Sequence, residues 1–378
     1  MNNLVSNSIQ RRSRDSLVNT INHNGTSAKV CLDDGECYLL PELDFQAQIL
    51  LEQIRQSPSA ELVPRGGVRT PKICLSGGRS HKMRASAYPR VSVLGATKDF
   101  YRVAKSGIRQ GACQALPLLA GSRVASEKYV VEHATELQTP AKFANSMLKG
   151  ILPAGDKAFS ASYNWESIFG PNGFFQKSFS SLGVKVPSGL TGSTPEEAIF
   201  NAFGTSKDTT NLLILDERTN SVKTAVWSIF ENIIGDNKWN AANHATRVEY
   251  ILRLQQGLMD YLNNANVQKA FQYTYKAQQA VWAVLDTAAG KANNNLQPIP
   301  SSSFAAAHKA WYADFFLAME ENLAAFLHNK ITQEVSYWRS PLAVRDFSAS
   351  AAKANAKTLS DKLASLATDV AIKRGWIQ

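Results

Sequence analysis

No stretch of this sequence approaches the ~18–20 consecutive apolar residues that a bilayer span requires, so no membrane-crossing helix is expected. The opening residues, MNNLVSNSIQRRSRD, lack an apolar core followed by a small-residue cleavage site and do not read as a secretory signal. The chain is then either retained inside the cell or a processed or partial form. Cysteine is sparse. Cys31, Cys37, Cys74 and Cys113 all lie in the first third and form no CxxC pair, which argues against a structural zinc site. Their even number fits two disulfides in any of three connectivities, and fits buried free thiols nearly as well in a reducing compartment. Other signatures are missing too. No G-x-S-x-G is present for a serine nucleophile and no H-E-x-x-H for a zinc protease. The glycine-rich Cys74–Arg79 stretch lacks the Gly-Lys-Ser/Thr end of a phosphate loop and reads as a turn.

What is present is a globular balance: 44% hydrophobic and 19% charged residues over 378 positions, enough apolar side chains for a sizeable core. Charge is unevenly spread. Residues 51–150 carry 16 Lys/Arg against 6 Asp/Glu, an excess equal to the +10 of the whole chain. A basic third beside a neutral remainder suits an anionic partner such as RNA or DNA, and suits a solvated basic face equally well.

The patterning predicts an α+β protein, with a small mixed N-terminal part of short strands and a predominantly helical C-terminal half. Residues 1–26 read as a polar, mobile arm that holds one Asn-x-Thr acceptor at Asn24; residues 27–150 as a basic α+β part; 151–192 as an aromatic, Gly/Ser-rich connector; 193–378 as the helical part. Within them, Ala28–Leu40 alternates about Asp34-Gly35 as a hairpin does. Leu43–Arg55 has helical periodicity, and Leu62–Gly66 (LVPRG) resembles a thrombin recognition site. Strands are expected at Tyr88–Leu94, Lys128–Glu132 and Asn211–Asp216, with a helix over His133–Leu148. Thr194-Pro195-Glu196-Glu197 is a helix start, with a hydroxyl cap, proline and then acids. Further helices are expected over Ser221–Ile234, Ala242–Asn263, Val267–Ala289, Ser303–Tyr337 (broken once) and Ser348–Arg374. The last carries Leu359, Leu363, Leu366 and Val370 as a face for one partner helix.

Chemistry concentrates at Tyr129–Gln138, YVVEHATELQ. A strand that delivers a carboxylate–histidine pair into a following helix is the arrangement of ββα-metal nucleases. This assigns His133 as base, with Glu132 and Glu136 as metal ligands or orienters and His244 as a distant further ligand, around Mg²⁺ or Mn²⁺. Asn240 and Asn243 are alternatives to His244. The competing reading is structural: Glu132 caps the helix, His133 bonds to backbone, and Glu136 faces solvent or the connector. Spaced cations at Arg65, Arg69, Lys72, Arg79, Lys82, Arg84 and Arg90, with nearby aromatics, are the candidate nucleic-acid grip. His308, His328 and the aromatic cluster Trp311, Tyr312, Phe315 and Phe316 read as packing groups, although exposed aromatics are what chitin-binding surfaces use.

The V-V-E-H-x-x-E-L-Q motif at Val130–Gln138 is followed by Phe143, Gly150-x-Leu152-Pro153, Asn220-Ser221-Val222-Lys223 and Lys238-Trp239. With Tyr261-Leu262-Asn263 as well, the set resembles the C-terminal extension of fungal class V chitinases, the killer-toxin-like members of glycoside hydrolase family 18. The likeness runs from about Tyr88 to Ala289. The D-x-x-D-x-D-x-E array of the chitinase barrel is absent, so chitin hydrolysis is not carried over. The resemblance implies a secreted, toxin- or effector-like module. Its mechanism is expected to be that of a metal-dependent nuclease or, alternatively, non-catalytic binding of a partner protein or cell-wall chitin.

Overall fold

The computed structural model describes residues 29–31, 37–39, 71–74, 80–83, 85–104, 116–155, 165–170, 172–229, 233–291, 303–346, 352–366 and 370–377. The chain is α+β and rich in helix, and it divides into two compact units, Met1–Arg65 and Gly66–Gln378. In the first, β1 (Lys29–Cys31) and β2 (Cys37–Leu39) pair antiparallel as expected, with Cys31 opposite Cys37. The expected helix over Leu43–Arg55 and the LVPRG stretch lie outside the described residues.

The second unit begins with an antiparallel ribbon of β3 (Lys72–Cys74) and β4 (Ser80–Lys82). Its main sheet takes β5 (Phe100–Val103), β6 (Leu118–Gly121), β7 (Tyr129–His133) and β8 (Leu212–Asp216) in the order β6-β5-β8-β7. β8 runs parallel to β5 and antiparallel to β7, so a strand some eighty residues downstream is inserted between the earlier ones. All five residues of β8 are buried, and its alternation divides them. Leu213 and Leu215 join the main helical core, while Leu212 and Ile214 meet Leu94 and Phe100 on the opposite face.

That second face corrects one expectation. Tyr88–Leu94 is not a strand. Pro89 has no N–H to give to a ladder, and Val91–Leu94 instead form a helical turn. The turn lays Leu94 and Val91 over Leu212 and Ile214.

Helix α1 spans Thr139–Lys149 and starts six residues later than periodicity predicts, with Pro140 in its first turn. Helix α2 (Pro195–Ala202) begins as expected: the Thr194 hydroxyl accepts from Glu197 N–H at 3.1 Å. Helix α3 (Glu217–Trp227) is capped by Asp216, whose Oδ1 accepts from Thr219 N–H at 2.9 Å. Helix α4 (His244–Leu252) runs into a π-helical stretch, Arg253–Leu258, before Met259–Leu262 resume the α form. Side chains along this stretch and just beyond it reach the start of β6 and the first turn of α3. Gln256 Oε1 accepts from Leu116 N–H (2.7 Å), Asp260 from Leu118 N–H (3.2 Å), and Arg253 donates to Thr219 Oγ1 (3.0 Å). Gly257 permits this approach, since a Cβ there would lie 2.5 Å from Val103 Cγ2.

Two long helices, α5 (Ala265–Lys291) and α6 (Phe304–Arg339), pack antiparallel, with Phe271 against Phe316 and Tyr275 against Tyr312. α6 is continuous over 36 residues; the expected break is not there, because no proline or glycine interrupts it. The segment 151–192 feeds this core: Phe169, Phe175 and Phe179 are buried, and Phe175 stacks on Trp282 at 5.5 Å. The last helix, α7 (Ala352–Ala364), docks on α6 through Leu359 and Leu363 and is shorter than expected. Beyond it the chain at 370–377 is non-helical, because the body supplies its backbone with partners. Asn263 takes Lys373 N–H (2.7 Å) and donates to Ala371 O (2.9 Å), while Glu320 takes Ile372 N–H (2.6 Å). Among the described residues no helix is long and apolar enough to cross a membrane.

Candidate functional site

YVVEHATELQ is a buried corner. β7 pairs with β8 so that Glu132 lies opposite Leu213 and His133 opposite Leu212. The residues after it turn under the sheet edge: Ala134, Thr135, Glu136 and Leu137 are 0, 1, 7 and 1% exposed. Glu132, at 4%, does not cap α1, and Glu136 does not face solvent.

The partner of both carboxylates is Lys223, one turn before the end of α3 and itself 1% exposed. Its ammonium donates to Glu132 Oε2, to the His133 carbonyl at 2.6 Å and to Glu136 Oε1 at 3.2 Å. Three donors meet three acceptors from one five-residue stretch, Glu132 to Glu136. The neighbouring residues of α3 add to this. Thr224 Oγ1 donates to Glu136 Oε1 at 3.2 Å, and Trp227 Nε1 donates to Thr139 Oγ1 at 3.0 Å. Thr139 in turn donates to the Glu136 carbonyl at 2.7 Å, closing the corner. Burial works against the Lys223 charge, but the carboxylates of Glu132 and Glu136 outweigh it and hold the ammonium above its ordinary range. A second buried charge group, Asp216 with Arg253 (3.5 Å), ties the start of α3 to the π-helical stretch.

His133 presents its ring edge-on to Tyr88 at 4.7 Å, within the cover over the sheet's second face, and is 5% exposed. His244 is elsewhere. Its Nδ1 lies 2.9 Å from Glu334 Oε2 on α6, its ring stacks on Tyr337, and Asn243 caps its helix. Asn240 uses its carbonyl to accept from Arg247 at 3.0 Å. The expected metal set of Glu132, Glu136 and His244 is therefore not assembled, because α4 carries His244 to α6 and not to β7. Among the described residues no group of three or more His, Cys, Asp or Glu is placed to hold a metal ion. The donor set also does not fit Mg²⁺ or Mn²⁺: the position between the two carboxylates is taken by a buried ammonium.

Of the expected nucleic-acid grip, Lys72, Lys82 and Arg90 are exposed. Lys72 and Lys82 stand directly opposite each other across the ribbon, a like-charge pairing that opposes strand association. Arg65, Arg69, Arg79 and Arg84 lie outside the described residues.

The aromatic cluster at Trp311, Tyr312, Phe315 and Phe316 is core, at 0 to 1% exposure, and offers no face to a glycan. His308 is a fully buried, satisfied histidine. Its ring nitrogens meet Gln279 Nε2 at 2.9 Å and Gln278 Oε1 at 3.1 Å, which fits a neutral ring with its proton on Nε2. Burial lowers its pKa to about 3.

Sequence reasoning missed Lys223 as a functional partner, although the Asn-Ser-Val-Lys element contains it. The signal was its position: Lys223 shares a helix face with Val226 and Trp227, which would bury a cation. Compared with protein-family models, with curated proteins and with solved structures, the chain matches none.

Proposed function

We propose that this chain is a non-catalytic binding module that holds an extended anionic polymer of the nucleic-acid kind. One observation carries the reading. The two acids on which hydrolysis would depend, Glu132 and Glu136, are buried and bonded to Lys223, so they act as fasteners between β7 and α3. A carboxylate that orients water or metal must reach both, and these reach neither solvent nor each other without displacing an ammonium. The charge excess supports an anionic partner over neutral chitin, as does the burial of the aromatics that could have formed a sugar platform. The likeness to the extensions of killer-toxin-like chitinases belongs to the same proposal: a secreted, effector-like accessory that recognises and does not cut.

The test is incubation with single-stranded RNA and DNA in Mg²⁺ and in Mn²⁺, with polymer integrity and retention read on the same samples. Retention of intact polymer is the expected result. Cleavage that Glu132→Gln abolishes while the protein stays folded would overturn the reading and restore the nuclease.

A further inference from the structure

Three depressions on the second unit share walls. The first, about 700 Å³, lies along α5 beside the C-terminal segment and is lined by Lys269, Lys276, Lys373 and Trp376, among others. The second, about 360 Å³, meets it at Lys269 and adds Lys98, Tyr101 and Asn266. The third, about 750 Å³, meets the second at Thr97, Lys98 and Asp99 and ends at Arg123. Together they make one track, lined by five cations and a single acid, Asp99. Arg123, Lys269, Lys276 and Lys373 are exposed, and none of the five cations forms an ion pair with another described residue.

The track is built on rigid parts. Lys269 and Lys276 share one face of α5, two turns or about 10.5 Å apart. The opposite wall is the clamped C-terminal segment. Asn263 fixes Ala371 and Lys373, and Trp376 Nε1 donates to Gln268 Oε1 at 2.7 Å while its ring packs on Tyr275 at 5.4 Å. Lysines held apart on a rigid frame without counter-charges bear a mutual repulsion that an anionic chain relieves.

We infer that this track binds a single-stranded nucleic acid, with Arg123, Lys98, Lys269, Lys276 and Lys373 pairing successive phosphates. The inference rests on the binding-module reading and gives it a site away from YVVEHATELQ. A strand fits better than a neutral glycan, which would leave the cations unanswered. It also fits better than a carboxylate-bearing peptide. The Gln272 amide and the Asn266 Oδ1 lie along the track and offer donors and an acceptor to base edges, and the half-buried Trp376, packed on Tyr275, leaves part of its ring at the surface.

The experiment is fluorescence anisotropy with a labelled 20-nucleotide oligo-dT and oligo-U over a series of KCl concentrations. Each phosphate paired should contribute about −0.7 to the slope of log K against log salt. Lys269→Glu with Lys276→Glu is expected to weaken binding at least tenfold and to shallow that slope by about 1.4. Lys98→Glu with Arg123→Glu repeats the test from a different part of the fold, so one misfolded variant does not decide it. Lys149→Glu with Lys185→Glu, both exposed and outside the track, should change affinity less than twofold. Equal losses in track and control variants would overturn the track while leaving the binding-module reading standing. Failure of the wild type to bind either oligomer would overturn both. Competition by poly-glutamate as effective as that by unlabelled oligomer, at equal charge, would reassign the track to acidic peptides.

Discussion

The molecule handles charge in two opposite ways. At the corner between β7 and α3, three charges are almost fully buried and each is matched, Lys223 to Glu132 and Glu136. Along α5 and the C-terminal segment, five cations line open depressions and none is matched by a described residue. A buried charge left unpaired costs several kcal/mol, so the corner is committed to holding the fold. An exposed charge costs little to leave unpaired, so the track is free for a ligand. Whether a charged motif in this chain means architecture or recognition is decided by its burial, since the residue types are the same.

Breaking the corner should give the largest effect. Lys223→Met removes the ammonium bonded to two buried carboxylates and is expected to destabilise by about 3–5 kcal/mol in urea unfolding. The triple variant that adds Glu132→Gln and Glu136→Gln should recover most of that loss; if it does not, the triad is not a coupled unit.

Next is the acid response of the core beneath the track. The folded state holds His308 neutral with a pKa near 3, against about 6.5 when unfolded, so the unfolded chain takes up more protons as the pH falls from 6.5 towards 3. Stability should therefore drop by about 2–3 kcal/mol between pH 7 and pH 4.5 on this account. His308→Gln should flatten that part of the pH profile in a comparison of unfolding midpoints; an unchanged profile would assign the loss elsewhere. Smaller still, Trp227→Phe removes the bond that ties α3 to Thr139 and should cost about 1 kcal/mol for that bond. Smallest of all, Lys269→Glu should leave stability within about 0.5 kcal/mol while weakening oligonucleotide binding. A large stability change there would erase the distinction between the two regions.

Local signals carried over well. The alternation around Asp34-Gly35, the Thr194-Pro195 start and the apolar NLLILD run each appear as the hairpin, the capped helix and the buried strand expected of them. In each case the deciding physics lies within a few residues. Tyr88–Leu94 failed because its apolar residues were needed as a cover over Leu212 and Ile214, a requirement visible only after β8 enters the sheet. The long C-terminal helix failed because Asn263 and Glu320 reach across to hold the backbone of residues 371–373.

For the candidate site the division is sharper. From the sequence alone, YVVEHATELQ is a strand leading straight into a helix, with a histidine and two acids close together; the turn between them and the role of Lys223 are not legible there. Patterning likewise determined an α+β chain, and composition a sizeable core and a basic third. Only the tertiary structure brought Lys223 between Glu132 and Glu136, carried His244 away to Glu334, and lined up lysines from separated segments along one track. The reason is the range of the forces involved. Caps, turns and periodicity act over a few residues, whereas the pairing of buried charges depends on which elements share a boundary, and that is settled by packing the whole core.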